Sequence, residues 1–255
     1  MKGLQGKTVL IAGGTGGVGT ATALRLGAEG ANVVVGSRRE ESAVQVADAV
    51  TAAGGRAIAL QLDIVEEASV VAAVRTAAES FDGLDAMHVN AANMTPEVIM
   101  NDSDATAIDL DVFDATVQVN LRGALLCTRH AVPALLANGG GALVYTSSAA
   151  AFVGEPERPA YAMTKTGMHA LVHHVASRWG REGIRANAVA PGPVPAEAVL
   201  PYLDQATLDG MQAALRSPRL GRPDDVAAMV AFLVSDDGEW INGQVINVDG
   251  GMVLR

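Results

Sequence analysis

The chain has 255 residues, 49% of them hydrophobic, with a formal net charge of -10 and an isoelectric point near 4.9. That length holds one large α/β domain or two small ones, and the hydrophobic share excludes a disordered chain. The acidic balance argues against a broad nucleic-acid or anionic-membrane surface, no run approaches the about 18 apolar residues of a spanning helix, and the single cysteine, Cys127, excludes an intramolecular disulfide. The N-terminal MKGLQGKTVL lacks the long apolar segment of a secretory signal, so a soluble cytoplasmic protein is the expectation.

The first strand candidate, TVLIAG (8 to 13), runs into AGGTGGVGTATALRLG, where Gly13, Gly17 and Gly19 open a helix over 17–29. Glycines there let the backbone approach a pyrophosphate closely and point unpaired helix N–H groups at its charge. A tight strand-to-helix connection would explain a glycine-rich turn alone, but the place after a first strand favours a dinucleotide. The second strand, ANVVVG (31 to 36), ends in Ser37, Arg38 and Arg39, where an NAD site places a carboxylate for the ribose hydroxyl. An arginine pairs instead with a 2′-phosphate, so NADP(H) is favoured and NAD(H) stays possible. The same SRREE also reads as a charged start to the helix over 40–53. RAIALQ (56 to 61) follows, then Asp63, which suits either an adenine amino group or a cap on the helix over 66–80.

DAMHVN (85 to 90) carries His88, read as a satisfied core histidine. A long helix is predicted over 111–137, with Cys127 as a buried small hydrophobe. GALVYT (141 to 146) precedes a helix over 160–180 that holds Tyr161 and, four residues on, Lys165. Chance alone produces such a pair about one time in 25 in this composition, so context decides its meaning. His169 and His173 have zinc-compatible spacing but no obvious third ligand, and read as surface or subunit-contact residues. RANAVA (185 to 190) and GQVINV (243 to 248) complete the strands, with a helix over 223–235 between them. Strands alternating with crossover helices predict a doubly wound α/β fold, a parallel sheet of about seven strands in one domain over 1–255. The Pro-rich segment 193 to 216 suits a substrate lid, or a helical excursion that only covers core.

From residue 6 to 251 these motifs resemble the short-chain dehydrogenase/reductase family, in its 3-oxoacyl reductase-like and glucose dehydrogenase-like branch, a family of Rossmann fold. The resemblance rests on Gly13, Gly17 and Gly19, on Val89-Asn90-Ala91-Ala92, on Asn120 in VQVNLRGALL and on Ser148 rather than Ser147, thirteen residues before Tyr161. It continues with Tyr161 and Lys165, with Asn187, Pro191 and Gly192 in NAVAPGPV, and with the closing INGQVINVDGG. Ala12, Val89 and Ala92 depart from the pattern, as does Ala196, where the family often has a Thr for the nicotinamide carboxamide.

The resemblance implies hydride transfer between a nicotinamide cofactor and a small carbonyl or alcohol, with Asn120, Ser148, Tyr161 and Lys165 as the catalytic set and no metal. Cofactor contacts are implied for Gly13, Thr15, Gly17, Val18, Gly19, Ser37, Arg38, Arg39, Asp63, Ile64, Asn90, Ala91, Tyr161, Lys165, Pro191, Gly192 and Val194. A free phenol titrates near ~10, so Lys165 is expected to lower the pKa of Tyr161, while Ser148 holds the substrate oxygen. Asn120 is implied to place a water in a proton relay, though it also suits the bridging of a helix distortion, and Ser148 also suits a strand-ending turn. A homotetramer or homodimer is implied, without nucleic-acid or membrane partners. A non-catalytic nucleotide sensor on the same fold would keep the glycine turn without needing the catalytic set.

Overall fold

Strands apolar on both faces need cover on both sides, and the chain supplies it. The computed structural model describes residues 1–195 and 200–254. The first half runs β1 (Thr8–Ala12), α1 (Gly17–Ala28), β2 (Asn32–Ser37), α2 (Glu40–Ala52), β3 (Arg56–Gln61), α3 (Glu67–Ser80), β4 (Ala86–Val89) and α4 (Pro96–Asn101). It continues with α5 (Leu110–Val117), a π-helical turn (Gln118–Arg122), α6 (Gly123–Ala137), β5 (Gly141–Thr146), α7 (Ala150–Val153) and α8 (Pro159–Trp179). β6 (Ile184–Pro191), α9 (Gln205–Ala213), α10 (Pro223–Val234) and β7 (Val245–Val248) close the chain.

The strands form one seven-stranded sheet in the order β3-β2-β1-β4-β5-β6-β7, every neighbouring pair parallel. This is the doubly wound α/β architecture. Side chains alternate across the sheet, so Leu10 and Ala12 join one core with α3, α6 and α8, while Val9 and Ile11 join another with α1, α2 and α10. Strand order reverses between β1 and β4, and parallel strands present their carboxyl ends along one edge there. Ala12 lies level with Val89, and Val89 with Tyr145. Such a reversal opens a crevice at the carboxyl edge of the sheet, where ligands of open α/β sheets bind.

One expectation changes. The helix predicted over 111–137 is three pieces, because the π-turn Gln118–Arg122 inserts an extra residue into the helical ladder. Among the described residues of 193 to 216, the helical parts are a single turn at Leu200–Tyr202 and α9, while Ala196 lies outside the described residues. Val89 is buried in the core at 1% exposure and Ala12 at 0%, so these departures from the family pattern are apolar packing. Among the described residues no helix is long and apolar enough to cross a membrane.

Candidate active site

The turn after β1 tests whether a dinucleotide fits. Gly13 takes φ +84, and a Cβ there would stand 2.7 Å from the Ala91 backbone. A Cβ on Gly19 would collide with the Gly13 carbonyl, which explains a glycine where the helix crosses the strand end. Gly16, by contrast, has nothing within 4 Å of its Cβ position, and no side chain caps the N-terminus of α1 that Gly17 and Val18 begin. An open cradle above uncapped helix N–H groups suits a pyrophosphate.

Around the cradle stand the other predicted contacts. Thr15 and Ser37 share a hydrogen bond of 3.1 Å, with Arg38 and Arg39 exposed just beyond the end of β2. Arg39 is also the N-cap of α2, so the arginine pair serves the helix start as well as the crevice. One oxygen of Asp63 accepts from Val65 N–H at 3.2 Å, closing a local turn, and the N-cap of α3 is Glu66. Asp63 therefore does not cap that helix. Ile64 turns its side chain into the core against Gly123. Gly192 passes so close to Asp249 that a Cβ would stand 2.9 Å from its backbone, and Pro191 accepts Ala149 N–H at 2.8 Å. Val194 packs beside Gly221.

The proposed reacting groups converge at the ends of β4 and β5. Lys165 is 1% exposed, and its Nζ donates to the Thr146 carbonyl at 2.6 Å and lies 5.6 Å from the centre of the Tyr161 ring. Burial alone pushes the Lys165 pKa down to about 8. For Tyr161 burial also dominates and holds the phenol above its ordinary value, opposed by a hydrogen bond with Ser148 and then by the Arg158 guanidinium. Desolvation of a phenolate thus outweighs these neighbouring groups. Ser147, the neighbour of Ser148, is turned away: its hydroxyl donates to the Lys165 carbonyl at 3.2 Å and meets His169 Nε2 at 2.7 Å.

Asn120 sits inside the π-turn at 0% exposure. Its Oδ1 accepts Asn93 N–H at 2.7 Å, and its Nδ2 donates to Thr164 Oγ1 at 3.2 Å, which donates onward to the Tyr161 carbonyl at 2.8 Å. Asn120 thus bridges a helix distortion, and that bridge ties it to the tyrosine helix. His169 stacks on Phe152 with centroids 5.0 Å apart, so it belongs to the interior side of α8, whereas His173 is exposed. Cys127 is fully buried and its thiol is pushed up to about 12 by burial.

Several residues here carried no sequence signal. Arg158 sits over the Tyr161 ring at 5.3 Å and pairs with Glu155 at 3.2 Å. Asp102 accepts the backbone N–H groups of Ala160 at 3.0 Å and Tyr161 at 2.9 Å from 58 and 59 residues away. His88 is tied into the site as well. Asn90 donates to the Gly13 carbonyl at 2.9 Å, so its Oδ1 takes the Thr146 hydroxyl proton at 2.9 Å. The Thr146 oxygen then accepts from His88 Nε2 at 2.8 Å, leaving a neutral imidazole whose Nδ1 has no partner among the described residues. Burial, reinforced by the Lys165 charge, drives the His88 pKa down to about 3.

The chain matches the family model described as Enoyl-(Acyl carrier protein) reductase over residues 12–253. It is 39% identical over 251 residues to a probable short-chain type dehydrogenase/reductase of Bradyrhizobium diazoefficiens, covering 98% of this chain and 89% of that one. It is 36% identical over 249 residues to the cis-4-hydroxycyclohexanecarboxylate dehydrogenase of Sinomonas cyclohexanicum, covering 96% of each chain. Identity to the L-rhamnose 1-dehydrogenase (NAD(P)(+)) of a Sphingomonas species is 35% over 258 residues, with 100% of this chain and 99% of that one covered.

The imidazole of His88 makes stability pH-dependent. Below pH 6.5 the unfolded chain binds a proton there that the folded chain refuses until about 3, so stability present at neutral pH is lost as pH falls through that window. Between pH 7 and pH 5 the loss from this residue is about 2 kcal/mol. Urea unfolding at the two pH values should show His88→Val losing less stability than the wild type, and an equal loss would refute the assignment.

Proposed function

The chain belongs to the short-chain dehydrogenase/reductase family of oxidoreductases acting on CH–OH groups, and on that premise we propose that it interconverts a small-molecule carbonyl and a secondary alcohol with NADP(H), Tyr161 serving as proton donor and acceptor. The observation that carries the reading is the Tyr161 ring 5.6 Å from the buried ammonium of Lys165, which is fixed on the Thr146 carbonyl at the carboxyl edge of the sheet, close to Ser148. A carbonyl oxygen placed between the Ser148 and Tyr161 hydroxyls accepts two hydrogen bonds, and these strengthen as negative charge develops on it. Tyr161 then yields its proton. A phenol held above its ordinary value has that proton to give at neutral pH. The bound cofactor supplies or accepts the hydride.

Lys165 keeps a positive charge under the ring and, with a pKa near 8, exchanges protons in the working pH range. Arg38, exposed beside the Thr15–Ser37 pair, supports a 2′-phosphate and hence NADP(H) over NAD(H). The segment 193 to 216 serves as the lid over the substrate, and Arg216 N–H bonded to the Gly250 carbonyl at 2.9 Å anchors its far end. An apolar groove lined by Val117, Leu121, Leu125 and Leu171 runs between α5, α6 and α8, with Leu125 54% exposed. A second copy of the chain covers it in this reading, in keeping with a homodimer or homotetramer.

Tyr161→Phe should lower kcat by about 10²- to 10⁴-fold in a screen of ketones and secondary alcohols while NADPH still binds, and undiminished turnover would sink the mechanism. Fluorescence titration should give tighter binding of NADPH than NADH, reversed in Arg38→Asp; tighter NADH binding by the wild type would overturn the cofactor assignment. Sedimentation velocity should show an oligomer that Leu125→Glu converts to smaller species, and a monomeric wild type would reject the covered groove.

A further inference from the structure

Tyr161 occupies an awkward place for a residue that must be held still. It is the third residue of α8, so its N–H and that of Ala160 lie in the first turn, where a helix has no acceptor of its own to offer. The residue before a helix usually supplies one from a Ser, Thr, Asp or Asn side chain. Here that residue is Arg158, whose guanidinium has only donors, and its backbone is left-handed at φ 59 and ψ 51. Pro159 at the first helical position gives up an N–H, which reduces the deficit without removing it.

We propose that Asp102 is the positioning residue for Tyr161, capping the catalytic helix from across the site and fastening the segment 93–102 to it. The inference rests on the reading of Tyr161 as proton donor. Asp102 Oδ1 accepts Ala160 N–H at 3.0 Å, Oδ2 accepts Tyr161 N–H at 2.9 Å, and the Asp102 carbonyl accepts Arg158 N–H at 2.9 Å. Two of these bonds take up the donors that Arg158 cannot serve, and the third holds its left-handed backbone in place. At 2% exposure the carboxylate is shielded from water, and its negative charge faces the positive end of the helix dipole.

The same segment is fastened at its other end. Asn93 N–H donates to Asn120 Oδ1 at 2.7 Å, so α4 spans between a bond to Asn120 and three bonds to the start of α8. Ile99 and Met100 of α4, Asp102, Pro156 and Glu157 line one cavity, so the segment before α8 and the segment 99–102 share a wall.

The test is Asp102→Asn, which preserves shape but turns one acceptor into a donor aimed at an N–H. Amide hydrogen exchange at Ala160 and Tyr161 should accelerate by about tenfold or more, while amides of the central strands keep their protection. In turnover, kcat should fall by about tenfold with KM and the NADPH dissociation constant within about twofold of wild type, because the cofactor cradle is untouched. If this variant fails to fold, Asp102→Ser, which keeps one acceptor, is measured in the same way. Unchanged exchange at Ala160 and Tyr161, or a loss confined to KM or to NADPH binding, overturns the proposal. The exchange measurement needs no substrate, so its failure sinks the clasp alone, whereas full activity in Tyr161→Phe sinks the reading of Tyr161.

Discussion

A buried ammonium is the constraint on which the site depends. Lys165 is withdrawn from water to 1% exposure with its Nζ on the Thr146 carbonyl, and its pKa falls from 10.5 to about 8. That displacement corresponds to about 3 kcal/mol against the charged form. The fold must absorb this cost elsewhere. It does so with a parallel sheet whose strands are covered on both faces: Met168, Val172 and Val175 of α8 pack into the core with β5 and β6, and the start of that helix delivers Lys165 to the last carbonyl of β5.

The polar groups near that ammonium are correspondingly well connected. Gly13, Asn90, Thr146 and His88 form one chain of hydrogen bonds across β1, β4 and β5, and Asn120, Thr164 and the Tyr161 carbonyl form another between the π-turn and α8. Each chain fixes which atom donates. In a low-dielectric interior that fixing matters, since an unmade bond costs the full desolvation of its group. His88 stays neutral because burial, reinforced by the Lys165 charge, disfavours its cation.

Much of this was legible in the residues. The strands were readable because buried parallel strands are continuous apolar runs, and the glycine turn because close backbone approach leaves no choice of side chain at Gly13 and Gly19. Tyr161, Lys165, Ser148 and Asn120 stood out as a candidate set through their resemblance to the family's motifs. The π-turn was not, since Gln118–Arg122 has the same apolar periodicity as the helices on either side, and the extra residue is held by a bond to Asn93 that lies 27 positions away. The helices α4 and α7 were missed because each is too short to show a period. The cap on α8 had no local trace either. A reader of the sequence looks for it at Arg158, but the acceptor comes from Asp102.

The sequence by itself determined the sheet and the order of its helices, because hydrophobic period is a property of neighbours along the chain, and its motifs marked the candidate reacting groups. The tertiary structure alone decided which way the proton equilibria lean. Burial holds Tyr161 up and Lys165 down, and the depth of each group depends on how α8 settles on the strand ends. It also decided what holds the phenol still. Those bonds join residues 44 to 59 positions apart, and no pattern along a chain encodes a contact made only when distant segments meet.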